Sequence, residues 1–128
     1  MLWVVLLAAV VLAGAREAPA QETPRPEVIA KNLAQNVLGE GTVRSVTVSR
    51  NRREIEIAWD AVLYRATNTP ARNREQVRGE AELATGSIMG VLKPDVIRFT
   101  ILVGARAIAR GERTQERFTI TYAQELGK

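Results

Sequence analysis

Neither cysteine nor histidine occurs among the 128 residues. The first absence excludes a disulfide scaffold, a thiolate zinc site, a dithiol redox motif and the lipid-bearing cysteine of a bacterial lipoprotein. The second removes the usual general base, the usual metal ligand and the usual pH switch of proteins working near neutrality. Aromatic residues are scarce, at 5%. Lysine is confined to Lys31, Lys93 and Lys128, so arginine carries almost all of the positive excess behind the net charge of +4. That excess gives a weak pull toward anionic partners. An anionic polymer is compatible with it, and specific nucleic-acid recognition is not expected, because single-strand binding asks for exposed aromatic platforms.

What is present begins with an apolar run, Leu2 to Ala13, followed by Gly14 and Ala15 and then by the polar, proline-containing stretch Arg16 to Pro26. The order of apolar core, small residues and polar flank is that of a secretory signal peptide, although Met1 alone precedes the run, without the positive residues such segments usually carry. The run is shorter than the roughly 20 residues that a helix needs to cross a bilayer. A cleaved segment over 1–20 is therefore expected, with a linker over 21–26 and a single domain over 27–128. Small-x-small sites end at Ala15 and at Ala20, and the second leaves Gln21 as the first mature residue. The implied location is periplasmic or extracellular, with no stable membrane span after processing.

Past the stiff Thr23-Pro24-Arg25-Pro26 connector, Ile29, Leu33 and Val37 recur at four-residue steps with Ala30 and Ala34 beside them, and Gly39 follows. The spacing predicts a helix over 27–38 ending at a glycine cap. Thr42 to Ser49, the break Arg50-Asn51-Arg52, and the alternating set Ile55, Ile57, Trp59, Ala61 and Leu63 predict a hairpin whose second strand is half-buried. Thr69-Pro70 opens a second helix. Its apolar stripe is Val77, Ala81, Ala84, Ile88 and Val91, and Lys93-Pro94 ends it. Ile97, Phe99, Ile101 and Val103 make a third strand, extending through Ala105 and Ala107. Arg110-Gly111-Glu112-Arg113 is a turn, and Phe118, Ile120 and Tyr122 face inward on a fourth strand.

The order α-β-β-α-β-β predicts an α+β two-layer sandwich, with a four-stranded antiparallel sheet and two helices on one of its faces. In outline the first half, through its Val46 to Trp59 hairpin, resembles the small exported PepSY module, and the middle resembles the BON module of envelope proteins. Neither likeness brings a motif, and no function or residue is carried over from them.

Glu54, Glu56 and Asp60 share the outward face of the second strand, where Arg44, Arg98 and Arg117 stand ready as cross-strand ion-pair partners. Two arginine groups, Arg50, Arg52 and Arg53 at one hairpin tip and Arg110 and Arg113 at the other, are candidate anion contacts. On the second helix Gly79, Leu83, Gly86 and Gly90 fall opposite the apolar stripe. Glycine inside a helix costs roughly 1 kcal/mol against alanine, so this face is a candidate for close approach by a partner.

Catalysis has little to draw on. Ser45, Ser49 and Ser87 have no histidine to activate them, Asp60 and Asp95 have no evident partner carboxylate, and no glycine-rich loop leads from a strand into a helix. The expectation is a non-enzymatic binding or assembly module with no cofactor and no metal, acting on an envelope or secreted protein. A small exported hydrolase using carboxylates, with Asp60 foremost, and a carrier of a small ligand between helices and sheet are the alternatives.

Overall fold

The computed structural model describes residues 24–126, and the expected signal segment over 1–20 lies outside them. The order of elements is α1 (Pro26–Leu38), β1 (Val43–Val48), β2 (Glu54–Asp60), α2 (Pro70–Leu92), β3 (Val96–Val103), β4 (Arg106–Arg113) and β5 (Phe118–Tyr122), followed by a 3-10 turn at Gln124–Leu126. The strands form one sheet in sequence order, β1-β2-β3-β4-β5. The class is α+β, as the patterning predicts, but the sheet has five strands and is mixed.

Two findings correct the four-stranded antiparallel expectation. β2 and β3 are parallel neighbours, from Glu54 opposite Val96 to Asp60 opposite Leu102. The reason is the length of α2, whose 23 residues span about 35 Å and carry the chain back to the end of the sheet where β2 began. A crossover of that kind joins parallel strands. The second correction concerns Arg110 to Arg113, which lie within β4 and not in a turn. The chain reverses earlier, at Gly104-Ala105, where the positive φ of Gly104 suits a two-residue hairpin loop. Gly111 then faces Phe99 and Ile120 across the ladder.

The core lies between the helices and one face of the sheet. Ile55, Ile57 and Trp59 of β2, Ile97, Phe99 and Ile101 of β3, and Val77, Ala81, Ala84 and Ile88 of α2 are all buried. Trp59 stacks on Phe99 at 5.8 Å between ring centroids, and Phe99 stacks on Phe118 at 5.6 Å. The Arg78 guanidinium covers the Phe118 ring at 5.1 Å and closes the file, a favourable cation–π arrangement.

Where the helices meet the core, single residues depart from the predicted stripes. In α1 the buried side chains are Ala30, Ala34 and Leu38, so the inward face is rotated by one residue from Ile29, Leu33 and Val37. Small alanines let the helix approach its neighbours closely, and Val37 is turned outward as a result. In α2 the caps match the sequence reading. Thr69 Oγ1 accepts a hydrogen bond from the Arg72 amide at 3.1 Å, and Lys93 ends the helix in the left-handed region. Val91, however, is exposed. β2 stops at Asp60, so Leu63 is not part of the strand and is exposed.

Candidate functional site

The loop from Ala61 to Thr69 is held by two polar residues of α2. Glu80 is buried and accepts hydrogen bonds from the Val62 amide at 3.1 Å and the Leu63 amide at 2.7 Å. Asn73, two turns earlier on the helix, is also buried. Its Oδ1 accepts from the Arg65 amide and the Asn68 side chain, both at 3.2 Å, and its Nδ2 donates to the Arg65 carbonyl at 2.9 Å. With the Val62 and Leu63 amides converging on one buried carboxyl and the Arg65 amide held by Asn73, the loop's path is fixed and Leu63 is presented outward.

That fixed loop, the last turn of α1 and the outward side of α2 enclose an open cleft of about 340 Å³, lined by Val37, Leu38, Val62, Leu63, Gly79 and Leu83, with Gln76 and Glu80 as its polar members. Three side chains that soluble domains ordinarily bury meet here in exposed positions: Val37 at 42%, Leu63 at 46% and Leu83 at 62%. Gly79 belongs to the same wall, and a β-carbon built on it would find no atom within 4 Å. Packing within the described residues therefore gives no reason for glycine at this position.

Of the other residues predicted for the helix face, Gly90 also opens onto free space, while Gly86 is covered from within, with the Arg113 guanidinium 3.6 Å from its would-be β-carbon. α2 is continuous through all three glycines. Gly79 and Leu83 are thus brought together in the cleft, and Arg113 over Gly86 interrupts the row between them and Gly90.

The arginine candidates are not assembled into one group. Arg50, Arg52 and Arg53 occupy the β1–β2 turn, and the Arg53 side chain is engaged by Asp95 at 2.9 Å. Arg110 lies on the outer face of β4, opposite Thr121. Arg113, opposite Phe118, points to the helix side, where its Nη1 donates to the Glu82 carbonyl at 3.4 Å.

The outer face of the sheet bears two of the expected cross-strand partners, Arg44 and Arg98, whereas Arg117 lies before β5 and outside the strands. Arg44 binds Asp60 at 2.7 Å, and Arg98 binds Glu54 at 2.8 Å and Glu112 at 3.4 Å. The Glu54 hydrogen bond, opposed by desolvation and joined by the charges of Glu54 and Glu112, raises the Arg98 pKa above its ordinary value. Pairs this exposed are screened by water and add little to stability. A shallow groove of about 480 Å³ crosses this face between Glu56, Arg98, Arg110 and Thr119. Among the described residues no cluster of three acidic side chains is placed to hold a metal ion, and no helix is long and apolar enough to cross a membrane. No protein-family model matches the chain, nor does any curated protein or solved structure.

Sequence reasoning missed most of the cleft. Val37 reads as a core residue because it is in step with Ile29 and Leu33, and Leu63 because it is in step with Trp59. The available signal was polar: Asn73 and Glu80 fall on the apolar stripe of α2, either side of Val77. Two hydrogen-bonding side chains on a stripe mark a backbone segment that must be bound there.

Proposed function

We propose that this chain is an exported, non-enzymatic binding module and that its contact surface is the cleft between α1, the Ala61–Thr69 loop and α2. The partner is an envelope or secreted protein that inserts an apolar segment. One observation carries the reading: Val37, Leu63 and Leu83, all exposed, converge on a single cleft whose wall includes an intrachain-unexplained glycine, Gly79. Convergent exposed apolar side chains with a polar rim are characteristic of protein-binding surfaces. Glycine at such a position lets a partner's backbone come close. Export is supported by the Leu2–Ala13 run and the small-residue sites after it.

The test is affinity capture in the native host, with wild type compared to Leu83→Asp and Leu63→Asp after each variant is shown to be folded. Both substituted positions are exposed, so the expected result is retained folding with loss of the same specific partner from both. Retention of that partner by both variants would contradict the reading.

A further inference from the structure

We propose that β5 is an assembly edge and that its occupant is the β5 strand of a second copy, paired antiparallel about a two-fold axis at Ile120. This goes beyond the cleft and does not depend on it.

The two edges of the sheet are built differently. β1 is guarded: its register shifts between Val43 and Ser45, Arg44 sits in the irregularity, and the Val43 amide donates to Gln35 Oε1 of α1 at 3.4 Å. Bulges, charges and covering elements are the devices that stop edge strands from pairing further. β5, with the sequence Phe118-Thr119-Ile120-Thr121-Tyr122, has none of them among the described residues. It contains no charge and no proline, and its ladder with β4 runs without a shift from Ala109 opposite Tyr122 to Arg113 opposite Phe118.

The hydrogen-bonding groups left free follow from the ladder. The Ala123 amide donates to the Ile108 carbonyl at 2.9 Å, and the Thr114 amide donates to the Arg117 carbonyl at 2.8 Å. Antiparallel bonding alternates along a strand, so Thr119 and Thr121 bond to β4, while the backbone groups of Phe118, Ile120 and Tyr122 point away from the sheet. All three residues are only half-buried.

Self-pairing at Ile120 is complementary at every position. Ile120 meets Ile120 of the second copy, Phe118 meets Tyr122, and Thr119 meets Thr121, which are favourable apolar, aromatic and hydroxyl pairs. Outside the strand, Arg117 falls opposite Ala123 and Glu116 opposite Gln124, so like charges do not face each other. Each row across the outer face runs from Arg110 through Thr121 to Thr119 and Glu112 of the second copy, with opposite charges at its ends. The outward amides and carbonyls are satisfied by exchange between the copies, as in strand addition to an open edge, and the interface is isologous.

The experiment is sedimentation velocity over a concentration series on the wild type and two double variants. In T119K/T121K a lysine faces a lysine across the interface, and the dimer is expected to weaken by about a hundredfold or more. In T119K/T121E each lysine faces a glutamate of the second copy while also lying beside Glu112, and each glutamate lies beside Arg110, so the dimer is expected to persist. Circular dichroism of the two variants separates dissociation from unfolding, since both threonines are exposed. A wild type that stays monomeric throughout the series overturns the proposal. So does a dimer that survives T119K/T121K, because it would then be formed through another surface.

Discussion

The Phe99 ring occupies the place where residue 111 would carry a side chain: a β-carbon on Gly111 would lie 2.5 Å from Phe99 Cζ and closer still to the Thr119 carbonyl oxygen. The glycine thus belongs to a strand interior, where it makes room for an aromatic ring from the neighbouring strand and for the backbone of β5. Gly111→Ala is expected to destabilise the domain by about 2 kcal/mol or more through forced displacement of packed atoms, measured by urea denaturation. Unchanged stability would mean that Phe99 is not seated there.

The helix glycines should respond in the opposite sense. A methyl group at Gly79 or Gly90 meets nothing within 4 Å, so Gly79→Ala and Gly90→Ala should each stabilise the isolated protein by about 0.5–1 kcal/mol through helix propensity alone. A loss of stability at Gly79 would show that its surroundings are already filled, and would remove it from the cleft.

Glu80 and Asn73 give a test of the loop. Glu80→Ala leaves the Val62 and Leu63 amides without their acceptor and should cost about 2–4 kcal/mol, with the conservative Glu80→Gln losing less. Hydrogen exchange at those two amides should accelerate selectively. Unaltered protection there would contradict the anchoring role.

The register of β2 sets a sharp contrast between neighbours. Trp59 is fully buried, and Trp59→Asp should unfold the domain. Asp60→Ser removes an exposed ion pair with Arg44 and should change stability by at most about 1 kcal/mol. Thermal unfolding of the two variants decides the matter, and a reversed result would shift the strand by one residue.

Much of this fold was legible in the chain because each local signal agreed with its surroundings. Ile55, Ile57 and Trp59 alternate with polar residues and are the inner face of a strand. Thr69-Pro70 caps a helix in the sequence and in the structure. The additional strand was not legible because Ala105 to Arg113 is poor in β-branched residues and carries a glycine that reads as a turn until the Phe99 ring is placed against it. The parallel pairing of β2 and β3 leaves no mark in the residue pattern, since it is fixed by how far α2 returns the chain. The cleft was half legible. Gly79 and Leu83 stood out as anomalies of one helix, whereas Val37 and Leu63 become exposed only when Ala30 and Ala34 set the rotation of α1 and Glu80 fixes the loop.

The reading that the cleft is the contact surface is tested most directly by placing a photo-crosslinking residue at position 83 and, as a control, at position 100 on the outer sheet face, in the protein expressed in its own host. The expected result is a discrete cross-linked product from position 83 that Leu63→Asp abolishes, and none from position 100. Equal cross-linking from both positions, or from position 100 alone, would contradict it.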